Sequence, residues 1–185
     1  MVVAALEMQM ITGEALFDLG DIGPAELIDG RITPMSPTQN LYAFVVLEIA
    51  RRLGNFNAAR RIGWIVGAES GIYTRRHPDT VRGMDVAFVS RQRLPQLEPG
   101  FLRVAPELIV EVVSPTDPWG DLQTKIEEYS AIGVDCVWVV DPAQRNALVY
   151  RSRTTPIRLQ EGDTLRGEGL LDGLAIALAE LFLTV

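Results

Sequence analysis

The run Pro106-Glu107-Leu108-Ile109-Val110-Glu111-Val112-Val113-Ser114-Pro115 constrains the fold more than any other part of this chain, because it sets a carboxylate, Glu111, inside an apolar segment. Residues 108–113 are bounded by Pro106 and by Ser114-Pro115, and their length and β-branched content predict a buried strand rather than a helix. Side chains along a strand alternate between faces, so Leu108, Val110 and Val112 share one face and Ile109, Glu111 and Val113 the other. Glu111 therefore sits between aliphatic neighbours on a face that must be covered. Burying an unpartnered carboxylate costs several kcal/mol, which leaves it three fates: protonation, pairing with a cation, or binding a metal.

The next helical segment offers the partner. In 121–132, Leu122, Ile126 and Tyr129 recur at i, i+4 and i+7 and mark the face that packs on a sheet, with Gly133 closing the helix. Lys125 falls on that same face. Of the 17 basic residues 16 are arginine, and Lys125 is the single lysine. Lysine is a compact charge whose pKa can be moved and which can handle a water proton, whereas a guanidinium stays protonated. A second acid, Asp85, is embedded in the strand-like Met84-Asp85-Val86-Ala87-Phe88-Val89, on one face with Ala87 and Val89.

Two carboxylates and a lysine around one point are what metal-assisted phosphodiester cleavage requires. Hard oxygen ligands hold Mg²⁺ or Mn²⁺, the metal polarises the phosphate and acidifies a water, and the lysine orients or deprotonates that water. The same residues admit a plainer arrangement. Asp121 and Lys125, four apart, can form a helix-surface ion pair, and Glu111 can be a structural acid paired with an arginine.

The rest of the chain reads as strands and helices in one domain, residues 1–185. Residues 12–19 predict a short helix capped by Thr12, and 25–35 a hairpin about Asp29-Gly30. A long, largely buried helix is expected from Ser36-Pro37 to Gly54, then two or three strands in 61–90 and a polar loop to Pro106. Residues 134–142 predict a buried strand, 147–165 a hairpin, and 174–185 a closing helix or docked tail. The apolar stretches are strand-sized and the first residues carry acids where a signal peptide carries a basic head, so a cytoplasmic protein without a membrane span is expected. One cysteine, Cys136, and one histidine, His77, leave too few ligands for structural zinc. The net charge of −7 argues against nonspecific coating of nucleic acid, although arginines gather between residues 51 and 82.

Three segments together, Ala25-Glu26-Leu27-Ile28-Asp29-Gly30 with the following Arg31 to Pro37, Thr80 to Ser90, and Pro106 to Pro142, resemble the successive signatures of the restriction endonuclease family once catalogued as a domain of unknown function (the Uma-two family). That family is a branch of the PD-(D/E)XK nuclease superfamily. The resemblance spans roughly residues 12–160 and is most specific from Pro106 to Pro142. It implies an α/β restriction-endonuclease-like fold, a central mixed β-sheet flanked by helices, with Asp85 and Glu111 as metal ligands. The superfamily's lysine stands two residues after the second acid, where this chain has Val113; in this family it has moved to the following helix, which selects Lys125. Met84 replaces the usual proline before Asp85, and Asn40 stands where many members have a histidine. Glu26 matches a recurrent family acid, as an auxiliary metal ligand or an exposed strand residue.

The expectation is thus a Mg²⁺- or Mn²⁺-dependent endonuclease acting on DNA, with RNA as the other candidate substrate. Asp85, Glu111 and the Val112 carbonyl bind the metal, Lys125 positions water, and Arg51, Arg52, Arg75, Arg76 and Arg82 contact the nucleic-acid backbone. Cleaving both strands calls for a homo-oligomer, with 134–140 and 174–185 as candidate interface segments. The competing expectation is a noncatalytic nucleic-acid or protein-binding module in which Glu111 and Lys125 form a structural ion pair. A small-molecule hydrolase finds no support, since the chain has neither a Gly-x-Ser-x-Gly elbow nor a phosphate-binding glycine loop.

Overall fold

The computed structural model describes residues 10–37, 39–114, 118–151 and 155–182. In chain order these form α1 (Gly13–Asp18), β1 (Ala25–Ile28), β2 (Arg31–Pro34), α2 (Asn40–Arg60), β3 (Gly63–Arg75), β4 (Thr80–Ser90) and β5 (Leu108–Val112). Then come α3 (Trp119–Ile132), β6 (Cys136–Asp141), β7 (Asn146–Arg151), β8 (Ile157–Gln160), β9 (Thr164–Arg166), a 3₁₀ turn at Gly169–Leu171, β10 (Ala175–Ala177) and α4 (Leu178–Leu181). Eight strands make one mixed sheet, in the order β2-β1-β4-β5-β6-β7-β8, with β3 also paired to β4. Among the described strands only β5 and β6 pair in parallel, and α3 is the crossover that joins them.

Helices cover both faces. The face carrying Leu108, Val110 and Val112 packs with Val86, Phe88 and Trp138 against Tyr42, Val45, Ile49 and Leu53 of α2. The opposite face carries Ile109, Ala87, Val137 and Val139 beneath Leu122, Ile126 and Tyr129 of α3. The alternation read from β5 holds residue for residue, so Glu111 lies under α3.

The hairpin β3–β4 creates the local geometry that matters. β3 runs beside β4 from Gly63↔Ser90 to Arg75↔Thr80. The other edge of β4 is shared: β1 pairs at Val81, and β5 pairs from Val86 to Phe88. Between them the edge of β4 at Gly83 meets no strand, and its backbone groups must find other partners. Side chains supply them. The Gly83 N–H donates to Glu26 Oε1 at 3.0 Å, and the Gly83 carbonyl accepts from Lys125 Nζ at 2.9 Å.

Several expected boundaries move. The long helix runs through Gly54 to Arg60, because Leu53 is buried at its core face and outweighs one glycine. It ends where Arg61 turns left-handed (φ 51°) and the Asn57 side chain accepts the Ile62 N–H. Residues 174–182 do not form one helix. Buried Leu174 and Ile176 alternate with exposed neighbours, so β10 pairs with β9, and only Leu178–Leu181 is helical. In the two expected interface segments, Val137 to Val140, Leu178, Leu181 and Phe182 are buried in the chain's own core. Among the described residues no helix is long and apolar enough to cross a membrane.

Candidate active site at the fork of the sheet

The gap between β1 and β5 gathers the sequence-predicted residues. Glu111 is buried, and both of its oxygens are engaged from α3: Lys125 Nζ donates to Oε2 at 3.0 Å and the Tyr129 hydroxyl to Oε1 at 2.7 Å. Lys125 thus turns inward from the exposed Asp121, and the helix-surface ion pair is not what its side chain forms. Spacing explains this: Lys125 and Tyr129 are one turn apart on the face of α3 that lies over β5 and β4.

Glu26, on β1, is not an exposed strand residue. It is buried, accepts from Arg82 Nη1 at 2.8 Å, and lies 3.4 Å from Lys125 Nζ. Arg82 in turn holds Glu128 of α3 with two further hydrogen bonds, of 2.7 and 2.9 Å, and Thr74 donates to the same carboxylate. Arg82 is only 5 % exposed. Its expected role as a nucleic-acid contact is therefore corrected: a guanidinium enclosed by two carboxylates cannot reach a phosphate, and it ties β1, β4 and α3 together instead.

Asp85 arrives from β4 and accepts the Val112 N–H on Oδ2 at 2.7 Å, which brings the backbone of Val112 to the site. A fourth acid, absent from the sequence reading, completes the group. β3 bulges opposite Asp85, where register slips between Gly67↔Val86 and Ser70↔Met84, and this delivers the Glu69 carboxyl beside Asp85 and over Gly83. The signal that could have located it is the small-residue frame Gly67-Ala68-Glu69-Ser70-Gly71 interrupting an apolar strand.

The electrostatics follow from crowding acids under a helix. Burial pushes the Glu111 carboxyl up to about 7; Lys125 opposes that rise and Asp85 adds to it. Burial also raises Glu69 above the ordinary carboxylate range, and Glu111 and Glu26 push the same way while Lys125 opposes. Burial draws the Lys125 ammonium down, but Glu111 and Glu26 outweigh it, so its pKa is raised and it stays charged. Burial likewise lifts the Tyr129 phenol well above its usual value, leaving it a hydrogen-bond donor at neutral pH.

A cluster of four carboxyls facing one lysine and the shared Arg82 suits a hard divalent cation in donor chemistry and in charge. Glu111 is taken up by Lys125 and Tyr129, Glu26 by Arg82 and Gly83, and no three acids among the described residues stand close enough to hold a metal.

The other predicted arginines lie elsewhere. Arg51 and Arg52 are on α2, whose buried side covers the opposite face of the sheet; both pair with Glu48, and Arg52 also with Glu180. Arg75 pairs with Asp29, and Arg76 with Glu14 and Asp79 at the β3–β4 turn.

The chain has the fold of a crystal structure described as a "putative nuclease belonging to DUF820" from Anabaena variabilis, with a TM-score of 0.79 at 20% sequence identity over 93% of this chain and 97% of that one. Residues 15–179 match the Uma2 family, described as "Putative restriction endonuclease", and the chain belongs to that family. A search of curated proteins returned no match.

Proposed function

We propose that this protein is a divalent-metal-dependent nuclease that hydrolyses phosphodiester bonds of DNA at the fork between β1, β4 and β5. One observation carries the reading: the chain's single lysine reaches from α3 to within 3.0 Å of Glu111, beside Asp85 and the backbone of Val112. A bound Mg²⁺ or Mn²⁺ would supply a polarised phosphate and an acidified water. Asp85 and Glu111 would hold it, with the Val112 carbonyl as a further donor. Lys125, kept protonated by the acids around it, donates to the attacking water and to the phosphate rather than taking a proton. Glu26 is committed to Arg82 and to the Gly83 N–H, and it acts by fixing Lys125 and β4 in place. Arg51, Arg75 and Arg76 are exposed and ion-paired with Glu48, Asp29 and Glu14, partners that backbone phosphates would have to displace, and two-strand cleavage calls for a pair of chains.

A second reading is favoured by the same contact. Both oxygens of Glu111 are already satisfied by Lys125 and Tyr129, as in a structural ion pair of a noncatalytic module. Metal-dependent stability separates the two. An ion binding only the folded state stabilises it by about 2.7 kcal/mol at one hundred times Kd. That corresponds to roughly 5–10 °C in Tm for a chain of this size. We expect Mn²⁺ to raise the Tm of the wild type saturably and to leave Asp85→Asn unmoved. Equal melting of both proteins with and without Mn²⁺ would favour the ion-pair module.

A further inference from the structure

We propose that Glu69 is a cation ligand of this site, sharing the ion with Asp85; this rests on the metal-dependent reading above. The argument begins with register. A regular ladder continuing from Gly67↔Val86 would set Ala68 alone opposite Asp85 and carry Glu69 on to Met84. The register instead resumes at Ser70↔Met84, so Ala68 and Glu69 both stand opposite the single residue Asp85. The one-residue bulge keeps Glu69 beside Asp85.

The backbone is forced to do this. Ala68 and Glu69 both adopt left-handed φ, 57° and 62°, and neither is glycine. Such conformations cost of order 1–3 kcal/mol each and persist where surrounding structure demands them. The space that receives the side chain is equally specific. A Cβ on Gly83 would lie 2.6 Å from Glu69 Oε2, so only a glycine at 83 leaves the carboxylate where it is. Glu69 there is hydrogen-bonded to Asp85 and within electrostatic reach of Glu111, Glu26 and Lys125. Glu26 and Glu111 are each held by a cation at ion-pair distance, whereas among the described residues no basic side chain stands that close to Glu69. Two carboxyls in direct contact, one of them lacking a basic partner, suit a shared divalent cation of the hard class, Mg²⁺ or Mn²⁺.

The test is calorimetric titration of Mn²⁺ into the full chain, with unfolding followed in parallel in EDTA. Wild type, Asp85→Asn, Glu69→Gln and Gly83→Ala are compared. Glu69→Gln removes the ligand, and Gly83→Ala displaces the carboxylate while keeping every charge. Both should weaken Mn²⁺ binding by about tenfold or more, the scale seen even for outer partners of a metal. In EDTA, Glu69→Gln should melt no lower than wild type, because removing a crowded acid costs the fold nothing. If both variants bind Mn²⁺ as tightly as wild type while Asp85→Asn does not, this inference falls and the nuclease reading stands. If only Glu69→Gln is weakened, the residue acts through its charge and is not a ligand. A wild type that binds no Mn²⁺ would overturn both readings.

Discussion

Glu111→Gln in metal-free buffer is expected to make the protein more stable at pH 8 and to change it little at pH 5. The Glu111 carboxyl has an ordinary value of 4.5 and is pushed up to about 7 in the fold, chiefly by burial. Because its folded pKa lies above the unfolded one, its favourable contribution is complete below about pH 4.5 and is lost as pH rises through about 7. At 1.36 kcal/mol per unit, that interval amounts to about 3 kcal/mol. Glutamine imitates the protonated carboxyl, offering one acceptor oxygen to Tyr129 or Lys125, so the variant should not incur the loss. The difference between variant and wild type should therefore grow from under about 1 kcal/mol at pH 5 to about 3 kcal/mol at pH 8, the latter roughly 6–12 °C in Tm. Urea unfolding in EDTA at the two pH values measures it. A variant less stable than wild type at pH 8 would refute the reasoning, since the Lys125–Glu111 pair would then be worth more than the burial it offsets.

Two other side chains test the scaffold around the acids. Arg82→Met should destabilise the fold by roughly 3–5 kcal/mol in urea unfolding, because Glu26 and Glu128 lose the cation they share. Stability within about 1 kcal/mol of wild type would deny Arg82 its bridging role. Tyr129→Phe removes a 2.7 Å hydrogen bond to Glu111 and should cost about 1.5–3 kcal/mol where that carboxyl is ionised. The loss should be smaller at pH 5 than at pH 8, since the hydroxyl favours the charged form, and an equal loss at both would argue against that.

What was legible in the sequence was whatever violated a local pattern. Glu111 breaks an apolar strand, and Lys125 is the one lysine on a helix face otherwise marked by Leu122, Ile126 and Tyr129. These two meet as the spacing predicts. What was hidden depends on partners distant along the chain. Arg82 sits in an arginine-rich stretch and reads as a surface cation, yet its carboxylates are 46 and 56 residues away. Tyr129 reads as packing, and nothing local reveals that its hydroxyl meets a carboxylate. Glu69 was invisible for a different reason. Alternation assumes regular register, and the bulge sets both Ala68 and Glu69 opposite the single residue Asp85. The same limit applies to residues 174–182, where apolar content is clear but the choice between strand and helix rests on pairing with β9.

The most direct test of the central claim is nicking of supercoiled plasmid by wild type, Asp85→Asn and Lys125→Met, each with Mn²⁺ and with EDTA. All three proteins should first be shown folded by circular dichroism. The account predicts nicking by the wild type in Mn²⁺ alone, with both variants inactive, since one lacks a proposed ligand and the other the only lysine at the fork. Cleavage that survives in Asp85→Asn, or in EDTA, would contradict it.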